Sequence, residues 1–465
     1  MPEEFSALRD RIAGQVVMPS DDDFARVAID GQWNRLRPER APDVIARVDN
    51  EGDVVEAVRF ARASDLKVAV RGGGHNWCNP ALRNGGLLID LANLDQIVSI
   101  DRDARTAVVQ PILSNREVQA ALNQQGLSYP TGHCPQVKLS GYLLGGGMAW
   151  NQGVWGEGFQ SVEAIELVTP DGELITASED ENPDFFWAAR GGGSNLFAVA
   201  VRYHLRLYPL PQAIWTSGHH FAIEDAEAVA GWLGSIASGL SPKVELTLFL
   251  LHAPPELADR CEPANGKACM VTATAFADSE QDAISALQPL RECPVAEPIA
   301  ASGAERTDFP SLFDLSGSMW PEGQRSQVDA MYFDTSPAEL VAATRDRFLE
   351  TPSETTLLLF ALFTGPDVPA PLPDAAFSMS ARIYGGPWTM WSEESDDAAN
   401  VEWHAGCVDA LAPLSVGHYV GESDTVGRPE FAEGAYSAAN WKRLAELRRK
   451  HDPDGVFFTH TEGLD

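Results

Sequence analysis

Basic residues, long apolar runs and paired cysteines are all scarce in this sequence. Lysine and arginine number 34 against 67 aspartate and glutamate residues, which gives a formal net charge of −33. That charge repels nucleic acid and anionic membranes, because no clustered basic patch offsets it. No stretch is apolar enough to span a bilayer, and the N-terminus lacks the basic and apolar regions of a secretion signal. We therefore expect a cytoplasmic protein that acts on small molecules and has no nucleic-acid or membrane partner.

The cysteines are too few and too irregularly spaced for a disulfide framework. They stand at positions 78, 134, 261, 269, 293 and 407, and no two of them form a Cys-x-x-Cys pair. Neither a zinc site nor a set of structural disulfides is indicated by such spacing. Most of these residues are expected to be reduced, buried thiols, and we expect no metal.

The first two hundred residues alternate strand and helix patterns. Apolar runs at 67–70 and 87–89 are typical of strands, and the spacing of apolar residues over 53–64 predicts a helix. The segments 97–109 and 162–176 each show two strand patterns around a polar turn, which predicts two hairpins. In addition, Ser114 and Glu117 have the spacing of a capping box at the start of a helix.

The pattern of apolar residues changes after residue 209. Longer strand patterns at 244–251, 356–363 and 381–384 mix with a helix pattern at 283–290. This mixture predicts an α+β domain on one antiparallel sheet. A chain of 465 residues also exceeds what one hydrophobic core usually supports, so two domains are expected. The tail at 436–450 is helical by pattern.

Three glycine triplets occupy positions 72–74, 145–147 and 191–193. Glycine lets backbone N–H groups approach a ligand closely, which suits loops that wrap a pyrophosphate. The first triplet follows a predicted strand but has neither the Gly-x-Gly-x-x-Gly spacing nor the lysine of a Walker loop, so Rossmann and P-loop folds are excluded. Tight turns without a ligand are the alternative for each triplet.

Two residues in these loops could carry chemistry. His75 directly follows the first triplet, and Cys134 lies in the loop Thr131-Gly132-His133-Cys134-Pro135. Taken singly, His75 could be a hydrogen-bonded loop residue, and Cys134 could be a buried, inert thiol. Neither residue alone decides between these alternatives.

Together the motifs resemble the berberine-bridge-enzyme-like branch of the vanillyl-alcohol-oxidase flavoproteins. The matching segments are Val-Arg-Gly-Gly-Gly-His at 70–75, Gly-His-Cys-Pro at 132–135, Gly-Tyr-Leu-Leu-Gly-Gly-Gly at 141–147, the segment 182–193, and Tyr436, Asn440, Arg443, Leu444, Asp452 and Pro453. The resemblance implies an α+β fold with two domains and a PCMH-type FAD-binding fold. It assigns FAD binding to residues 1–209 plus 421–465. It assigns substrate binding to residues 210–420, on a large antiparallel sheet covered by helices.

The resemblance also implies that FAD is bound by two covalent links. His75 matches the residue that binds the flavin 8-methyl carbon, and Cys134 matches the residue that binds ring carbon six. Imidazole and thiolate are good nucleophiles, and both can add to an electron-poor ring. The other implied cofactor contacts are Arg71, Gly72, Gly73, Gly74 and Asn76 around the pyrophosphate, with Thr131, Gly132, Val137, Gly141, Gly145, Gly146, Gly147, Val199 and Asn440.

Two segments depart from the family pattern. The glycines usual after the cysteine are replaced in Lys138-Leu139-Ser140, and Leu196 stands where the family pattern Asn-Phe-Gly has phenylalanine. Such changes put substrate identity in doubt more than flavin binding. His133, beside Cys134, is a candidate for lowering the thiol pKa, although an adjacent loop histidine is often incidental.

The implied activity is that of an FAD-dependent oxidase. A hydride would pass from a carbon bearing a hydroxyl or an amine to flavin N5 while a base takes the proton, and O2 would then be reduced to H2O2. The small side chain of Val137 matches the position that controls oxygen access and favours an oxidase. Candidates for the base are Tyr436, Glu422, Tyr419 and Tyr384. Tyr436 and Glu422 rank first because they lie in the returning C-terminal segment, although each could be structural.

Several alternatives stay open. The flavoprotein could deliver electrons to an acceptor other than oxygen, as a dehydrogenase, or it could be a catalytically silent FAD-binding protein. Four tryptophans could stack on a substrate ring or pack in the core, namely Trp320, Trp388, Trp391 and Trp403. The matching segments concern the cofactor, so they do not choose among a sugar, an alkaloid-like amine and a secondary-metabolite alcohol.

Overall fold

The computed structural model describes residues 2–261 and 264–462. Its strands are β1 (Gln15–Val17), β2 (Val44–Arg47), β3 (Val68–Arg71), β4 (Leu87–Asp90), β5 (Ile97–Asp101), β6 (Thr106–Val109), β7 (Leu127–Ser128), β8 (Val162–Val168), β9 (Leu174–Ser178), β10 (Val199–Arg206), β11 (Tyr208–Pro209), β12 (Ala213–Ala222), β13 (Val244–His252), β14 (Lys267–Ala277), β15 (Ala300–Thr307), β16 (Arg325–Val328), β17 (Met331–Phe333), β18 (Leu357–Leu362), β19 (Ile383–Trp391) and β20 (Ser415–His418).

The helices are α1 (Pro2–Arg9), α2 (Phe24–Ile29), α3 (Glu51–Ala63), α4 (Asn115–Asn123), α5 (Leu139–Leu144), α6 (Gln152–Trp155), α7 (Pro183–Ala189), α8 (Ala226–Ile236), α9 (Glu280–Leu287), α10 (Phe309–Met319), α11 (Pro337–Leu349), α12 (Asp397–Leu411), α13 (Glu430–Gly434) and α14 (Ala438–His451). None of the helices in the described part of the chain combines the length and hydropathy needed to cross a bilayer.

The first 209 residues build three sheets. Strands β1, β2, β4 and β3 form a four-stranded sheet in that order, in which β4 runs parallel to both β2 and β3. A five-stranded sheet has the order β5-β6-β10-β8-β9, and β7 pairs with β11. Helix α3 connects β2 to β3, and both strands run parallel to β4, which lies between them. The tail contributes to the same core, because Leu444 of α14 and Phe457 are buried in it.

Residues 213–418 build one large antiparallel sheet. Its strand order is β15-β12-β14-β13-β18-β19-β17-β20, and β16 pairs with the far part of β19. Side chains on one face, such as Leu246 and Leu248, pack against helices α8, α9, α11 and α12. Because strand side chains alternate, Glu245, Thr247 and Phe249 point to the opposite face, which these helices leave uncovered.

The expected α+β fold with a large antiparallel sheet is confirmed. The hairpins β5-β6 and β8-β9 are both antiparallel pairs, and the Ser114–Glu117 capping box is formed at the start of α4. Element ends differ from expectation. The strand expected at 381–384 begins at Ile383 and continues to Trp391, because it pairs with β18, β17 and β16 in turn. The boundaries at 209 and 421 between the two domains stay a prediction.

Candidate active site

A cavity of about 480 Å³ lies between the first three sheets and the uncovered face of the large sheet. One end is lined by β3, by residues 79–83 and by Phe457 and Phe458. The middle is lined by the loop at 71–77 and by the loop at 132–138 with the helix α5 that follows it, and the other end by β13, β14, β18 and β19. The cavity therefore joins the two halves of the chain, and an elongated group could reach from one to the other.

The loop after β3 is built from glycine because it packs tightly on its neighbours. A Cβ atom at Gly72 would lie 2.0 Å from Ser140 Oγ, and one at Gly73 would lie 2.2 Å from Lys138 Cγ. Gly74 has a φ of +65° and faces Gly31 O. This packing directs the loop backbone toward the cavity. Within the described residues, the N–H groups of residues 73–76 have no protein acceptor. A row of unpaired backbone donors suits a pyrophosphate.

His75 and Cys134 meet at the middle of the cavity. The Cys134 Sγ atom lies 3.5 Å from His75 Nε2, although the two residues are 59 positions apart in the chain. Trp33 stacks on the His75 ring, with their centroids 5.1 Å apart, and fixes its orientation. The family resemblance implies attachment at the 8-methyl carbon and at ring carbon six, which both lie at the benzenoid end of the flavin. Side chains bonded to these two carbons must end near one another, and these two do.

Burial sets the protonation of the two nucleophiles. Burial, together with a smaller effect of Lys138, lowers the pKa of His75 to about 4, so the imidazole is neutral near pH 7 and its ring nitrogen is free to attack. Burial raises the pKa of Cys134 to about 11, against the effect of the backbone N–H groups of Gln136 and Val137. The thiol is therefore protonated until a base removes its proton, and the neutral imidazole lies within reach of it.

His133 does not act as expected on the thiol. Its Nε2 atom lies 3.0 Å from Glu245 Oε1, and its ring packs on Trp150 with the centroids 4.1 Å apart. The pKa of Cys134 is raised rather than lowered. A histidine beside a cysteine in the sequence need not face it, because neighbouring side chains in an extended loop point in different directions.

The sequence-predicted cofactor residues divide into two groups. Those that line the cavity are Arg71, Gly72, Gly73, Gly74, His75, Asn76, Gly132, Cys134, Val137, Gly141 and Gly145. Those outside its lining are Thr131, Gly146, Gly147, Val199 and Asn440. Asn440 donates to Ala375 O and Ala376 O, at 2.8 Å and 3.2 Å. Gly147 donates its N–H to the Tyr419 hydroxyl over 3.0 Å.

Arg71 lines the cavity with its backbone, but its guanidinium faces away. It donates to Asp90 Oδ2 over 2.8 Å and to the carbonyls of Val27 and Ala28. The two bonds to Val27 and Ala28 tie α2 to the four-stranded sheet, and the bond to Asp90 joins β3 to β4 within it. The arginine therefore supports the loop rather than supplying charge to a phosphate.

Two of the four candidates for the base form a pair on the cavity wall. The Tyr384 hydroxyl donates to Glu422 Oε2, and both residues line the cavity. Burial raises the pKa of Glu422 to about 7, with a small opposing effect from His133. A carboxyl group with a pKa near the working pH is suited to take and release a proton.

The loop that carries Glu422 is held by a buried network. Asp329 accepts the backbone N–H of Asp424 over 2.8 Å, and its other oxygen lies 3.1 Å from His404 Nε2. Ser423 donates to Ala330 O over 2.7 Å. These contacts fix the carboxyl group against the large sheet, and no local sequence pattern indicated them.

The other two candidates are held by structural bonds. The Tyr419 hydroxyl accepts the N–H groups of Gly147 and Met148, and burial raises its pKa to about 12. Tyr436 lies outside the cavity lining, where its hydroxyl donates to Gly192 O over 2.9 Å. Tyr419 also lines the cavity, but its hydroxyl is committed to the N–H groups of Gly147 and Met148, so both tyrosines are favoured as structural residues.

The four candidate tryptophans fall into two groups, those that line the cavity and those that do not. Trp320 and Trp388 line the cavity. Trp391 donates its Nε1–H to Asp397 Oδ1, and Trp403 donates to Arg347 O. Only the first two can therefore contact a substrate in this cavity.

Comparison with known proteins identifies relatives that are FAD-linked oxidoreductases. Residues 42–178 match the FAD_binding_4 family, which is described as an FAD binding domain. The FAD-linked oxidoreductase nodO of Hypoxylon pulicicidum is 27% identical over 94% of each chain. The (R)-6-hydroxynicotine oxidase of Paenarthrobacter nicotinovorans is 27% identical over 98% of this chain and 97% of its own. The structure of BBE-like 1 from Physcomitrella patens superposes with a TM-score of 0.81 at 16% identity, over 99% and 98% of the two chains. The expected resemblance is confirmed, to FAD-linked oxidoreductases in sequence and to a berberine-bridge-enzyme-like flavoprotein in fold.

Proposed function

We propose that this FAD-dependent oxidoreductase binds its flavin covalently through His75 and Cys134 and oxidises a C–H group that bears a hydroxyl or an amine, with O2 as the electron acceptor. The observation that carries the proposal is the 3.5 Å approach of the two nucleophiles in a cavity that also holds the Tyr384–Glu422 pair. The residues that would bond to the flavin and those that would accept the substrate's proton thus line the same cavity. The cytoplasmic location stays a prediction from the sequence.

When bound, FAD supplies a two-electron acceptor for the hydride and a route for electrons to oxygen. The protein's own residues do the rest. The unpaired N–H groups of residues 73–76 bind the pyrophosphate, and His75 and Cys134 fix the ring. Tyr384 contacts the substrate hydroxyl or amine and takes a proton from it, while the tyrosine's own hydroxyl proton passes to Glu422, to which Tyr384 is already hydrogen-bonded. The loop bonds from Asp329 keep Glu422 in place during this transfer.

The pH dependence of the reaction follows from Glu422. Its pKa is raised to about 7, so the carboxylate that accepts the proton is the minor form at pH 6 and the major form at pH 8. We expect kcat/KM to rise about tenfold for each pH unit below 7 and to level off above it. The Glu422→Gln variant should lack this rise. A wild-type rate that is flat between pH 5.5 and 8.5 would contradict the role of Glu422.

The acceptor is tested by two steps on the purified holoprotein. Under anaerobic conditions, a substrate that bleaches the flavin absorbance demonstrates hydride transfer. Mixing with air-saturated buffer should then restore the yellow colour within seconds and produce one H2O2 per flavin. Slow reoxidation with fast reduction of a quinone or dye would identify a dehydrogenase. A flavin that no alcohol, sugar or amine bleaches would indicate a catalytically silent FAD-binding protein.

A further inference from the structure

The floor of the cavity is the uncovered face of the large sheet. The pairing register of the strands gives the relative positions of the residues on this face. Thr247 on β13 lies opposite Thr272 on β14 and Ala361 on β18. Ala361 in turn lies opposite Tyr384 on β19. Small side chains at the centre of this row leave space above the sheet, while the reacting end at Tyr384 is aromatic.

Glu245 occupies the next row, two strands away from Tyr384. It lies opposite Thr274 on β14, and Thr274 lies opposite Thr216 on β12. Two residues along one strand and two strand spacings across the sheet separate Glu245 from Tyr384, so their Cα atoms are about 12 Å apart. A ligand that touches both must therefore be elongated.

The Glu245 carboxylate has an unused acceptor. Its Oε1 atom is taken by His133, while Oε2 is buried without a hydrogen-bond partner. A buried carboxylate oxygen without a donor is unfavourable, and a donor on a ligand would remove that penalty. The side chain still keeps 22% of its surface exposed, so a ligand in the cavity can reach it.

The charges on the cavity wall favour a cation at this end. The two carboxylates of the lining are Glu245 and Glu422. The lysine and arginine residues of the lining all come from the first half of the chain and their side chains are already bonded, namely Arg71 to Asp90, Lys138 to Glu117 and Arg83 to backbone carbonyls. Among the described residues, the large sheet contributes neither lysine nor arginine to the cavity.

We infer that Glu245 is a specificity-determining residue that binds a protonated amine of the substrate, about two strand spacings from the carbon that is oxidised. The substrate class is thus an elongated molecule with a cationic nitrogen at one end, an apolar middle that lies over the small side chains of Thr247 and Ala361, and the oxidised group at the Tyr384 end. Thr274, directly opposite Glu245 on β14, supplies a hydroxyl that can accept a further hydrogen bond from the cation. The inference rests on the proposed function only where it assigns oxidation to the end of the substrate near Tyr384.

Calorimetric binding to the purified holoprotein tests this inference without turnover. The probes are 3-phenylpropylamine, 3-phenylpropan-1-ol and 3-phenylpropanoate, which share their size and carry a positive, a neutral and a negative end. We expect the amine to bind about tenfold more tightly than the alcohol, and the carboxylate to bind most weakly, because a charge-assisted hydrogen bond is about twice as strong as a neutral one. Failure of the oxidase proposal would leave this ranking unchanged.

Two variants locate the effect. Glu245→Gln should bring the affinity for the amine down to that for the alcohol. Glu305→Gln, on the exposed part of β15, removes the same charge away from the cavity and should preserve the preference. A carboxylate probe that binds as tightly as the amine would overturn the inference, as would a preference that survives in Glu245→Gln. Should Glu245→Gln fail to fold, the wild-type ranking alone decides.

Discussion

Replacing Tyr384 with phenylalanine is expected to lower kcat by about a hundredfold, which is the usual contribution of a positioned proton-transfer group. The hydroxyl donates to Glu422 in the cavity, so its loss interrupts the path of the proton from the substrate. The phenyl ring keeps its packing with Trp388 and Tyr419, whose centroids lie 6.2 Å and 5.7 Å away. Flavin content and KM should therefore stay close to wild type, and stopped-flow reduction of the flavin measures the step directly.

The matched control is Tyr332→Phe. Tyr332 lies next to Tyr384 in the sheet, but its hydroxyl donates to Met148 Sδ and not to Glu422. This variant removes the same atom from the same aromatic cluster and should reduce flavin at close to the wild-type rate. Equal losses in the two variants would mean that packing, not proton transfer, explains the effect.

Removing both nucleophiles is expected to abolish covalent flavin binding. In the variant with His75→Ala and Cys134→Ser, FAD should be released completely on denaturation, because no side chain at the benzenoid end can bond to the ring. Each single variant should keep one FAD per chain through the remaining link. Absorbance of the acid-precipitated protein distinguishes these cases, since free flavin stays in the supernatant.

Cys78→Ala is the control for this experiment. Cys78 follows the same glycine loop, but its thiol donates to Asn76 Oδ1. The covalent flavin should be unaffected by this change. A single variant, either His75→Ala or Cys134→Ser, that already releases all of its flavin would show that only one link exists.

The sequence predicted the local parts of this site well. Glycine loops, the Ser114 capping box and the two hairpins depend on residues close together in the chain, so their patterns are visible in it. The meeting of His75 and Cys134 came from family resemblance and not from the residues alone. Nothing in either loop indicates that the two side chains approach within 3.5 Å.

Side-chain direction was harder to predict. Tyr436 and Glu422 ranked equally because both lie in the returning segment, yet the Tyr436 hydroxyl donates to Gly192 O while Glu422 faces the cavity. The partner of Glu422 is Tyr384, 38 positions earlier, and the partner of Glu245 is His133, 112 positions earlier. Contacts of this kind depend on strand register across two halves of the chain, which hydrophobic periodicity does not encode.

The central claim is that FAD is bonded to both His75 and Cys134, and mass spectrometry of the denatured wild-type chain tests it most directly. We expect the intact mass to exceed that of the polypeptide by one FAD. Proteolysis should then give a flavin-containing product that cross-links the peptides around residues 75 and 134. An unmodified chain mass with free FAD in solution would contradict the account, and so would flavin attached to a peptide that contains neither residue.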